Sequence, residues 1–226
     1  MPERSFLQRL VDVYVAPARA FAAIAEHPAG WWQPLVLVAL LTAGAIYLLI
    51  DSVILPSQLE ELRRQVEDPE QRAVAARWMR TVTWMAPAIV PLTIVVIGFV
   101  AHGIARLVLG GDGRVVQSLA VTTHAYLINV VGELVRVSLM LAKGSPEVFL
   151  GPAALLPGAL EGTFLFRFMG QLDVFAAWKV VLIGIGLAIA HRLDMARVVR
   201  VLVILWLAWA VLMAVLGGLG PQGTSS

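Results

Sequence analysis

Long apolar runs separated by short polar stretches dominate the chain. A helix crossing ~30 Å of hydrocarbon needs about 20 mostly apolar residues at 1.5 Å per residue. Five runs reach or approach that length: Trp31–Ile50, Thr81–Ala105, Val116–Leu141, Val174–Ala190 and Val201–Gly218. The first, second and fifth contain no Asp, Glu, Lys or Arg; the third carries Glu133 and Arg136, and the fourth Lys179. The pattern predicts an all-α fold, a polytopic membrane bundle of five transmembrane helices over 31–218, preceded by short N-terminal interfacial helices.

The segments between the runs are equally patterned. Residues 1–30 contain Phe6-Leu7-Gln8-Arg9-Leu10-Val11-Asp12-Val13-Tyr14-Val15 and then Pro17-Ala18-Arg19-Ala20-Phe21-Ala22-Ala23-Ile24, both amphipathic. Pro17 suits a first helical turn, where a missing N–H costs nothing. These pieces are expected either to lie in the interface plane or to dock against the bundle. No compact apolar core precedes a small-residue cleavage site, so the first span is expected to act as an uncleaved anchor. Residues 51–80 are predicted to form an extramembrane helical loop, with Glu60 and Arg64 at i, i+4 and Asp68-Pro69-Glu70 as a helix start. In 142–173, Gly144-Ser145-Pro146, Gly151-Pro152 and Pro157-Gly158 interrupt an apolar segment, which predicts an interfacial hairpin or a partial re-entry. A flexible tail is expected over 219–226. Pro87 and Pro91 each remove a backbone bond from the second span and are candidate kinks. Trp31, Trp32, Trp84 and Trp178 open spans, as aromatic belts do.

Composition narrows the class. Of 226 residues, 59% are hydrophobic and 14% charged, and the mean hydropathy is +0.83. Soluble domains carry roughly 45–50% apolar and about 25% charged residues, so too little charge is present to cover a water-facing surface. The absence of cysteine removes disulfide scaffolds and thiolate chemistry together. A net charge of +2 is too small to point to nucleic acid. Arginine crowding at Arg192, Arg197 and Arg200, against a tail without charge, orients the N-terminus to the cytoplasm and the C-terminus outside. An Ala-, Val-, Leu- and Arg-rich chain with two lysines fits a bacterial cytoplasmic membrane.

Polar residues inside the third span form a stripe. On a helical wheel Ser118, Thr122, Tyr126, Asn129, Glu133 and Arg136 fall within about 80°. Facing lipid, a central charge alone would cost ~2.5–3.5 kcal/mol, so the stripe is expected to face the bundle interior. It serves either as a packing seam or as a polar conduit. Glu133 is expected to pair with Arg136, Lys179 or both, with Asp173 nearby; alternatively Lys179 snorkels to the headgroups beside Trp178. In the fourth span Gly184-x-x-x-Ala188 is a small-residue pattern for close helix packing or self-association.

Materials for catalysis are few. His102, His124 and His191 share the inner half, yet no His-x-x-x-His spacing exists and no carboxylate lies within a turn of His102 or His124. Gly110-Gly111-Asp112-Gly113 lacks the lysine of a phosphate loop and fits a tight turn between spans. No serine elbow is present. No catalytic, cofactor-binding or metal residue is therefore expected, and the chain is not expected to be an enzyme; lipid chemistry inside the membrane ranks last.

The order of several short motifs resembles a known family. Pro17-x-x-x-Phe21-x-x-Ile24, Pro28 and Trp31-Trp32-Gln33-Pro34-Leu35 lead into the first span. Gly110-Gly111, Gln117-Ser118-Leu119 and Ala125-Tyr126 follow, and Asp173-Val174-Phe175-x-x-Trp178 opens the fourth span. Together they resemble the Yip domain family of five-span membrane proteins, in its compact prokaryote-like form, with Asn129 near where that pattern has a proline. The resemblance implies a non-enzymatic protein that organises membrane or scaffolds partner membrane proteins, or itself. Eukaryotic members bind prenylated Rab GTPases through a sizeable cytosolic segment; with thirty residues ahead of Trp31, a small GTPase is not carried over as a partner here. The alternative is a solute- or proton-coupled conduit, or a transporter subunit, using the third-span stripe. Five spans put the chain ends on opposite faces: a reporter fused to the C-terminus should read outside and one fused to the N-terminus inside, and equal sidedness would refute the count.

Overall fold

The computed structural model describes residues 6–218; their regular secondary structure is entirely helical, with no strand among them. The expected tail over 219–226 and the first five residues lie outside the described residues. Two short helices, α1 (Phe6–Val15) and α2 (Pro17–Glu26), precede the spans. The first span is α3 (Gln33–Leu49), which passes through a π-helical turn at Ile50–Ile54 into α4 (Leu55–Gln65). The second is α5 (Pro69–Gly103), extended by a π-turn at Ile104–Val108. The third is divided into α6 (Val115–Ala125) and α7 (Ile128–Lys143). A short α8 (Phe164–Gln171) leads to the fourth span, α9 (Val174–His191), and the fifth, α10 (Met195–Leu216). Five helical stretches are thus long and apolar enough to cross a membrane: Pro28–Arg64, Pro69–Val108, Val115–Lys143, Val174–His191 and Met195–Leu216. This is an integral multi-pass architecture.

Local chemistry sets the boundaries. Asp68 caps α5 by accepting the Glu70 N–H at 2.9 Å, with Pro69 at the first position. Asp173 accepts the Phe175 and Ala176 N–H groups at 2.8 and 3.0 Å and so starts α9; Asp194 accepts the Arg197 N–H at 2.8 Å and starts α10. Each carboxylate satisfies donors that the first turn leaves unpaired. α5 runs unbroken through Pro87 and Pro91. The third span is interrupted between α6 and α7. Around Tyr126–Leu127 the backbone switches to i→i−3 bonds: Leu127 to His124, Asn129 to Tyr126 and Val130 to Leu127.

The main core sits where α2, α6, α9 and the start of α10 meet. Phe21 and Ile24 of α2, Val121 of α6, Leu182 and Leu187 of α9 and Val198 of α10 are all sealed from solvent. Docking on the bundle is thus what buries the amphipathic face of α2, while Val11, Val15, Ala18 and Arg19 stay exposed. The tyrosine of α1 is pinned as well, since Tyr14 Oη donates to the Leu127 carbonyl. Burial pushes the Tyr14 phenol up, which keeps it a donor. A smaller cluster, Ile46, Ile50 and Leu55, closes the turn between the first span and α4.

Glycine makes the tight packing of α9 possible. A Cβ on Gly186 would lie 2.4 Å from Val121 Cγ1 and 3.0 Å from Phe21 Cδ1. One on Gly184 would lie 2.7 Å from Val199 Cγ2. The small-residue pattern Gly184-x-x-x-Ala188 is therefore engaged inside the chain, with Gly184 against α10 and Ala188 buried. Gly44 of α3, by contrast, faces open space. Gly186→Ala should cost about 1–3 kcal/mol by overpacking and lower the melting temperature of detergent-solubilised protein, whereas Gly44→Ala should leave it unchanged or raise it.

Candidate functional site

The polar side chains of the third span do not form one uniform ridge. Ser118 and Thr122, on α6, are fully buried. Tyr126, Asn129, Glu133 and Arg136 are only partly buried. The wheel assumed a continuous helix; the turn at Tyr126–Leu127 breaks it and resets the direction in which α7 presents its residues.

At one end Ser118 joins three elements. Its Oγ lies 2.8 Å from His191 Nε2 at the end of α9 and 3.1 Å from His102 Nδ1 at the end of α5. The Gly113 N–H donates to His191 Nδ1 at 3.1 Å, so that nitrogen is an acceptor. The neutral ring then carries its proton on Nε2 and donates to Ser118, whose hydroxyl turns to His102. His102 and His191 ring centroids are 5.3 Å apart. The Gly110–Gly113 turn is moulded onto this site. Gly110 has φ +79°, in the left-handed region, and a Cβ on Gly113 would come within 2.8 Å of His191 Cγ. His124 points elsewhere, with Nδ1 2.8 Å from the Ala120 carbonyl of its own helix. Among the described residues, no three His, Asp or Glu side chains gather to hold a metal ion.

Halfway along the third span, Tyr126 and Leu127 bind two further elements. The Lys179 ammonium of α9 lies 4.3 Å from the centroid of the Tyr126 ring, a cation–π contact. Lys179 thus meets an aromatic face rather than Glu133. Next to it, the Leu127 carbonyl receives the Tyr14 hydroxyl of α1. Thr122 Oγ1 is buried without a hydrogen bond among the described residues.

At the far end the ionic cluster centres on Arg136. Its Nη2 donates to Asp173 Oδ2 at 2.7 Å, while Glu133 Oε2 is 3.7 Å from its Nε. The Asp173 side chain is 18% exposed against 47% for Glu133, so the closer, drier pair carries the interaction. Asp173 was expected only nearby; it is the principal partner, because its second oxygen already caps α9 and holds the carboxylate in place. Asp173 to Asn keeps a competent cap but removes the charge. It should destabilise the purified protein by on the order of 1–3 kcal/mol, read as a lower melting temperature, while Glu133→Gln should cost about 1 kcal/mol or less. Equal effects would refute the ranking.

Comparison with known proteins agrees with the architecture. A family model described as the Yip1 domain matches residues 11–217. No curated protein and no solved structure matches the chain. Because the match runs from α1 past the end of α10 and takes in all five spans with the polar contacts between them, this chain belongs to the Yip1 domain family.

Proposed function

We propose that this Yip1-domain protein is a non-catalytic component of a bacterial cytoplasmic membrane, N-terminus inside, that organises its patch of bilayer and holds partner membrane proteins. The observation that carries this reading is the use made of the third span. Ser118, Tyr126 and Arg136 each tie a different level of that helix to α9, and Ser118 ties it to α5 as well. Side chains committed to helix–helix contacts stiffen a bundle; they do not ring a path for a solute. The outer faces support the same role. Leu40 and Tyr47 on α3, Leu92 and Phe99 on α5, and Ile204 and Trp209 on α10 are exposed apolar residues suited to lipid or to another membrane helix.

Tagged full-length protein, extracted in mild detergent, should bring down a membrane protein in fixed stoichiometry, and tagging that protein should recover this chain. Glu133→Gln should leave proteoliposome permeability unchanged. Solute or proton flux that depends on Glu133, without a stoichiometric partner, would replace the scaffold reading by the conduit.

A further inference from the structure

A pocket of about 560 Å³ opens where the end of α2, the 112–114 turn and the end of α9 converge. Its size falls in the ~300–1,000 Å³ range of small-molecule sites. Most polar groups on its wall are already committed. Gln117 Oε1 accepts the Arg114 N–H at 2.8 Å, and its Nε2 donates to the Ala25 carbonyl at 2.9 Å. Arg192 Nη1 donates to Asp112 Oδ2 at 3.0 Å, closing the rim between two turns. Two charges remain. Glu26 at the end of α2 and the Arg114 guanidinium at the start of α6 line the same pocket, both exposed, and neither side chain has an ion pair or hydrogen bond among the described residues. They stand on different elements that meet at this cavity, and Ala22, Ala25, Ile189 and Ala190 give its wall an apolar part.

The level of the pocket selects the ligand. Arg114 immediately precedes the third span and Arg192 immediately follows the fourth, so the cavity lies where helices leave the hydrocarbon and lipid headgroups begin. A guanidinium suits a phosphodiester, to which it donates two parallel bonds. An unpaired carboxylate suits a primary ammonium. We propose that this pocket binds the headgroup of an aminophospholipid, its phosphate on Arg114 and its ammonium on Glu26. A choline headgroup has no N–H to donate to Glu26, and a glycerol headgroup has no cation, so the site discriminates by chemistry rather than by size. The proposal does not depend on the scaffolding role.

Full-length protein reconstituted in vesicles of equal phosphatidylethanolamine, phosphatidylcholine and phosphatidylglycerol is extracted in mild detergent, and the co-purifying lipid is quantified by mass spectrometry. Phosphatidylethanolamine should be enriched about tenfold over either competitor, the scale of one charged hydrogen bond. Arg114→Gln and Glu26→Gln should each abolish the enrichment with the circular dichroism spectrum unchanged, and Arg63→Gln on α4 should preserve it. Co-purification in the bulk lipid ratio, or enrichment that survives both pocket substitutions, overturns the proposal. So does soluble phosphoethanolamine raising the melting temperature of delipidated protein as much as the lipid does, which would assign the pocket to a soluble zwitterion.

Discussion

Inside a bilayer no water is available to satisfy a polar group, so one left without a partner in the protein is costly. The rest of the structure follows from that requirement. Where the third span switches to i→i−3 bonding at Tyr126–Leu127, the Leu127 carbonyl accepts the Val130 N–H and, in addition, the Tyr14 hydroxyl of a separate helix. Where the span carries a hydroxyl at Ser118, two histidines from other spans flank it. Where it carries a guanidinium at Arg136, the capping aspartate of α9 meets it. Satisfying polar groups and assembling the bundle are here one process, and two of these four contacts land on α9 or its capping residue.

Such contacts distribute unevenly over the molecule. The dry core and the His102–Ser118–His191 contacts lie at the end where α2 docks, and there the glycines of the 110–113 turn and of α9 bring backbones close. The opposite end is held by the Arg136–Asp173 pair and by Arg167, whose Nε donates to the Ala214 carbonyl near the end of α10. α3 and the outer face of α5 contribute little to the core and present apolar side chains outward.

The spans were legible in the chain because hydrophobic length is a strong signal: an uncharged run such as Trp31–Ile50 has few alternatives to a membrane helix. Capping was legible too, since Asp68-Pro69 announces a helix start by local chemistry alone. The site was legible only in part. Ser118, Tyr126 and Arg136 stood out as polar residues in an apolar run, but their partners lie far away in sequence, and no periodicity within one helix reveals a partner on another. His102 and His191 could have been paired with Ser118 by depth, since all three lie close to the same ends of their spans. The break at Tyr126–Leu127 had no glycine or proline to mark it, and that hid the change of direction that leaves Glu133 half exposed while Ser118 is sealed.

The docking of α2 has a consequence for biogenesis. Its bed is built from α6 and α9, so α2, which is synthesised before either, cannot seat until residues near His191 have been made and inserted. At roughly 5–20 residues per second, that interval is on the order of ten seconds or more. During it an amphipathic helix carrying Phe21 and Ile24 must be sheltered by something other than its own protein, by the membrane surface or by the insertion machinery. A helix made before its bed must wait to come home.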